Sequence, residues 1–196
     1  YNQRTSWKMD YIISVAERRG VFFRLCFSHW EDFDKETEDF PDWGWNRNPY
    51  HSANGGPVAN VTGFFKDTTA KEYYKRYMRY IVARWGYSKN ILCYELWNEA
   101  DAPRMVWGTG HNYESNRQNI LEWHREMSDY LKKLDPHHLI TTSFSDNRNQ
   151  PSVWQLPNMD LTTIHRYPHF NQWIDGDFKQ FEVEECLAYL IRERAK

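Results

Sequence analysis

The run Tyr94-Glu-Leu-Trp-Asn-Glu99-Ala closes an apolar stretch with an amide and a carboxyl group side by side. An acidic residue that follows an apolar strand sits at the C-terminal mouth of a parallel sheet, where α/β proteins bind ligands. Partial desolvation at such a mouth favours the neutral form of a carboxyl group, which suits Glu99 to donate a proton. Asn98, a neutral donor and acceptor, would hold a hydroxyl group beside it. The same two residues fit equally well a loop in which Glu99 caps the chain and Asn98 makes a turn.

The elements that must position them alternate along the chain. Met9, Ile12, Ile13 and Ala16 recur with helical spacing, and Gly20 is placed to end that helix. Val21 to Phe27 is an apolar run of strand length. Tyr74, Met78, Ile81, Val82 and Trp85 line one face of a second helix, followed by a strand from Ile91 to Trp97. Ile120, Trp123, His124, Met127, Tyr130, Leu131 and Leu134 are in phase on a third helix, which Asp135-Pro136 stops. His138 to Thr142 and Leu161 to Ile164 read as short strands, and Phe181 to Arg194 as a last helix. Helix alternating with strand implies parallel strands joined by right-handed crossovers, an α/β protein; pattern alone leaves a barrel and an open doubly wound sheet both open.

One connection stands out. About 40 residues separate the strand ending near Ser28 from the helix starting near Ala70, far above the usual length of such a loop. It carries Trp43-Gly-Trp-Asn-Arg-Asn-Pro-Tyr50 and Asn54-Gly-Gly-Pro57, too aromatic for disorder. Aromatic residues make up 17% of the 196 residues, which supplies either a ring-rich core or flat surfaces that stack on a ligand.

The net charge of -2 argues against partnership with nucleic acid or an anionic membrane. Cys26, Cys93 and Cys186 lack metal-ligand spacing and read as small hydrophobes. No stretch has the length of a transmembrane helix. No leader peptide is visible, and the chain opens mid-domain, so that absence carries no weight.

Leu96-Trp-Asn-Glu-Ala100 resembles the fourth-strand signature of clan A glycoside hydrolases, the group of cellulases, β-mannanases and many β-glycosidases. Ile164-His-Arg-Tyr-Pro168 resembles the sixth-strand His-x-Tyr of that clan, and Phe27-Ser-His29 the position of a sugar-binding histidine. Asn48-Pro-Tyr50, Asn54-Gly-Gly-Pro57 and Tyr80-Ile-Val-Ala-Arg-Trp85 are similar to stretches of cellulase- or mannanase-like members. The resemblance covers most of the chain in order and spacing.

It implies a partial (β/α)8 barrel over residues 1–196, running from helix 2 to helix 6, without strands 1, 2, 7 and 8. It implies retaining hydrolysis of β-linked oligo- or polysaccharides, with Glu99 as acid/base, Asn98 on the sugar 2-hydroxyl, and His165 and Tyr167 orienting sugar and nucleophile. His29 would line a neighbouring subsite. The nucleophile, a Glu ending strand 7, would lie beyond Lys196, and the strand-2 Arg is absent too, so the isolated segment is expected to be inactive. Glu182, Glu184 and Glu185 fall on the last helix and read as solvated surface. No cofactor or metal is implied; the partner is a carbohydrate, and polymer-degrading relatives suggest an extracellular or periplasmic location. The rival reading is a non-catalytic carbohydrate-binding barrel that has lost its nucleophile.

Trp43 and Trp45, like Trp107 and Trp173, would stack on sugar rings or pin their loops as local clusters. Arg24 and Glu95 interrupt two adjacent strands and would pair inside the barrel, because an unpaired buried charge is costly. Asn60-Val-Thr62 fits a glycosylation acceptor, a tripeptide too common to decide anything.

Overall fold

Three parallel strands, β1 (Phe23–Cys26), β2 (Ile91–Glu95) and β3 (Leu139–Thr141), lie side by side in chain order in the computed structural model. Two more, β4 (Ser143–Phe144) and β5 (Thr163–Ile164), pair in parallel beyond them. The structure describes residues 1–34, 44–101, 113–144 and 151–165. The helix expected over 181–194, with Glu182, Glu184 and Glu185, lies outside those residues.

Pairing continues past the strand ends. Phe27 N donates to Glu95 O at 2.8 Å and Asn98 N to Ser28 O at 2.8 Å. Ser143 N donates to Trp97 O at 3.0 Å, so β3 and β4 are one strand interrupted at Thr142. Each crossover therefore advances one strand in the same direction. A doubly wound sheet reverses its order at a switch point; among the described strands there is no reversal. The winding is that of a barrel wall.

Helices α1 (Gln3–Arg19), α3 (Thr68–Trp85) and α4 (Tyr113–Leu134) precede β1, β2 and β3, and two single turns, α2 (Val61–Phe64) and α5 (Pro151–Trp154), lie in the loops. Their ends follow local chemistry. Asn2 caps α1 by accepting from Thr5 N, and Gly20 closes it in the left-handed conformation at φ 64°. Asp67 caps α3 by accepting from Ala70 N at 2.8 Å.

The faces of α3 and α4 are buried as their spacing predicts, with Tyr74, Met78, Ile81 and Trp85 on one and Ile120, Trp123, Met127 and Leu131 on the other. On α1 the expectation fails in part. Ile13 and Ala16 are buried, but Ile12 is exposed, with Trp7 and Tyr11. The helix turns its polar side toward α3: Asp10 accepts from Arg84 Nε and Trp85 Nε1, and Ser6 meets the Tyr80 hydroxyl. Nothing among the described residues covers the opposite stripe.

The described parts of the long connection, residues 29–34 and 44–67, are organised. Three 3-10 turns, Trp30–Phe33, Trp45–Arg47 and Ser52–Asn54, and α2 fold it onto the mouth. Asn48 ties it down, donating from Nδ2 to Asp32 O and accepting from Tyr50 N. Gly56 lets the chain pass so close to Tyr50 that a Cβ would lie 2.1 Å from its carbonyl carbon.

Arg24 and Glu95 pair as expected, with Nε 3.0 Å from Oε2 and Glu95 almost wholly buried. The nearby Cys26 thiol is pushed up to about 12, by burial first and by the Glu95 charge second.

Candidate active site

Trp97 fixes the end of β2. It is fully buried, stacked on Phe65 at 5.2 Å and packed against Phe33 at 4.3 Å, with Phe64 and Trp123 edge-on. This anchor leaves Asn98 and Glu99 to emerge at the mouth of the sheet. Asn98 is half-buried and bridges in parallel to His29; Glu99 is 9% exposed.

Glu99 is the one non-glycine residue at positive φ among the described residues, at 52°. That conformation costs about 1–2 kcal/mol for a residue with a Cβ, and neighbouring bonds hold it. Its N–H donates to Ser143 Oγ at 3.0 Å, and the next N–H, of Ala100, donates to Ser143 O at 3.2 Å. Asn98 Nδ2 reaches the same hydroxyl at 3.4 Å.

The Glu99 carboxyl group meets His165, with Oε1 2.6 Å from Nδ1. These residues are 66 apart in sequence and arrive on different strand ends. When Glu99 is ionised, the Nδ1–H donates to it; when Glu99 carries the proton, a bare Nδ1 accepts. The contact serves both proton states that an acid/base must visit.

His29, expected to line a subsite, stands at the same mouth. Its Nδ1 accepts from Glu31 N at 3.4 Å, capping the turn that follows. Below it, burial pushes the Asp32 carboxyl up and nearby His29 opposes the shift. Trp45 is a correction: at 2% exposure, stacked on Phe33 at 6.0 Å, it belongs to the loop's own cluster and presents no face to a sugar. Tyr167, Trp43, Trp107 and Trp173 lie outside the described residues. Ser143 was missed, because a serine at the end of a strand looks like any other.

A cavity of about 720 Å³ opens on the flank of β1, lined by Phe27, Ser28, Tyr50, Tyr74 and Tyr77 among others. It does not include Glu99 or His165. Burial pushes the Tyr50, Tyr74 and Tyr77 hydroxyls up, Tyr77 to about 12, and Asp32 and Arg47 also line the cavity.

Residues 31–192 match the family model described as cellulase (glycosyl hydrolase family 5). The chain belongs to glycosyl hydrolase family 5. It is similar to mannan endo-1,4-beta-mannosidase 7 of Arabidopsis thaliana, 24% identical over 97% of this chain and 46% of that protein. Mannan endo-1,4-beta-mannosidase A of Podospora anserina is 27% identical over 82% of this chain and 41% of its own length. The endo-1,4-beta-mannanase structure from Rhizomucor miehei shares the fold, with a TM-score of 0.59 at 21% identity, over 95% of this chain and 55% of that one. The chain thus spans about half the length of the relatives it matches. Family membership and strand winding agree on a partial (β/α)8 barrel.

Proposed function

We propose that the protein carrying this chain is a retaining glycosidase that cleaves β-linked mannan, with Glu99 as its general acid/base. The observation that carries the reading is the Glu99 carboxyl group at the sheet mouth, 2.6 Å from His165 and next to Asn98. The family's relatives named as mannan endo-1,4-beta-mannosidases support the choice of substrate.

In the first step neutral Glu99 gives its proton to the glycosidic oxygen while a second carboxylate attacks the anomeric carbon. In the second step ionised Glu99 takes a proton from the water that releases the sugar. Asn98 would hold the sugar 2-hydroxyl and His29 would flank the adjoining subsite. Tyr167 and His165 would orient the nucleophile and the sugar.

Retention needs that second carboxylate about 5–5.5 Å from Glu99. We assign the nucleophile to a glutamate that residues 1–196 do not supply, and an external polymer as substrate implies export.

The test is incubation of the full-length protein with β-mannan, cellulose and xylan. Release of manno-oligosaccharides from mannan is expected. Binding without release from any of the three would favour the non-catalytic carbohydrate-binding barrel, and turnover by the isolated residues 1–196 would contradict the split site.

A further inference from the structure

We infer that Ser143 is the positioning residue that aims the Asn98–Glu99 pair, an inference that rests on Glu99 being the acid/base. All three polar atoms of Ser143 engage consecutive residues of the strand beside it. Its N–H donates to Trp97 O at 3.0 Å, and its carbonyl accepts from Ala100 N at 3.2 Å. Between these two ladder bonds, its hydroxyl oxygen accepts from Asn98 Nδ2 at 3.4 Å and from Glu99 N at 3.0 Å.

The two backbone bonds are ordinary parallel pairing and would survive a change of side chain. The two hydroxyl contacts would not. A residue at φ 52° has its preceding peptide rotated away from the strand ladder, and the Glu99 N–H needs an acceptor in that new direction. Ser143 Oγ is that acceptor, in a residue that is fully buried. The direction of the Glu99 N–H and the orientation of the Asn98 amide are thereby set by one oxygen. With the backbone so fixed, the Glu99 carboxyl group projects to His165.

The neighbouring Thr142 reinforces the clamp, donating from Oγ1 to Trp97 O at 2.9 Å. It touches neither Asn98 nor Glu99 directly, so the aiming function falls to Ser143.

The experiment is Ser143→Ala in the full-length protein, compared on β-mannan and on an aryl mannoside with a dinitrophenyl leaving group. The first substrate needs a proton on its leaving oxygen, and the second does not. We expect kcat on mannan to fall about 10- to 100-fold with KM little changed, the penalty of a misplaced catalytic group. Glycosylation by the dinitrophenyl substrate should fall clearly less, by no more than about threefold to fivefold, because no proton donor is called on and only the Asn98 contact to the 2-hydroxyl is disturbed. A parallel loss on both substrates, or no loss on either, would overturn the inference. If Ser143→Ala does not fold, Ser143→Cys, of similar size but a weak acceptor, is read by the same criterion. Glu99→Gln separates the two claims. If it shows the leaving-group dependence and Ser143→Ala does not, the positioning role alone falls; if Glu99→Gln lacks it, the acid/base reading falls.

Discussion

The Nδ1 of His165 lies 2.6 Å from Oε1 of Glu99, joining the end of the β5 strand to the end of the β2 strand across the sheet mouth. A short contact between two titratable groups with little exposure fixes the direction of a carboxyl oxygen more firmly than packing does.

Replacing His165 with alanine should therefore weaken catalysis without unfolding the protein. The expected loss is about 10- to 100-fold in kcat on β-mannan, as a loosened carboxyl group samples unproductive directions. Steady-state kinetics on β-mannan checks this, and an unchanged kcat would contradict it.

His124 should make the fold acid-sensitive. Its ring is fully buried between Ile120 O, 2.7 Å from Nδ1, and Thr142 Oγ1, 3.1 Å from Nε2. Burial lowers its pKa from 6.5 to about 4, and the bond to Ile120 opposes this only in part. The unfolded chain binds a proton near pH 6.5 that the folded chain refuses until about pH 4. Stability is thus fully present above pH 6.5 and falls as the pH drops toward 4, by roughly 3 kcal/mol. Urea unfolding at a series of pH values should show this slope, flattened in His124→Asn.

Two neighbouring glycines should respond differently to alanine. Gly55 sits at φ 83° with open space around its Cα, so Gly55→Ala brings backbone strain alone, about 1 kcal/mol. Gly56→Ala drives a methyl group to 2.1 Å from the Tyr50 carbonyl carbon and must move the chain, at about 2–3 kcal/mol. Thermal unfolding of both variants gives the ranking, and equal losses would contradict the close approach.

Much of this was legible beforehand, for identifiable reasons. The buried faces of α3 and α4 follow apolar spacing because helices pack by one stripe. Arg24 and Glu95 announced their pairing by interrupting apolar strands, where an isolated charge has no stable place. Glu99 was marked by its position after a strand and by the resemblance around it. Other features left no trace in one dimension. Ile12 fits the stripe of α1, yet side-chain bonds from Asp10 and Ser6 orient the helix otherwise. Trp45 in an aromatic loop reads the same whether it stacks on a sugar or on Phe33. His124 was read into an apolar face, and only the fold brings Thr142 to its second nitrogen. Ser143 matters through the left-handed turn at Glu99, which no spacing reveals.

The central claim, that Glu99 is the general acid/base of a retaining mechanism, is tested most directly by Glu99→Ala in the full-length protein with added azide. The account predicts a fall on β-mannan of about 10²- to 10⁴-fold. With an activated aryl mannoside, azide should restore the rate and leave a mannosyl azide of retained β configuration, since the small anion enters where Glu99 stood. An α-mannosyl azide would make Glu99 the nucleophile, and an undiminished rate on mannan would remove it from the reaction altogether.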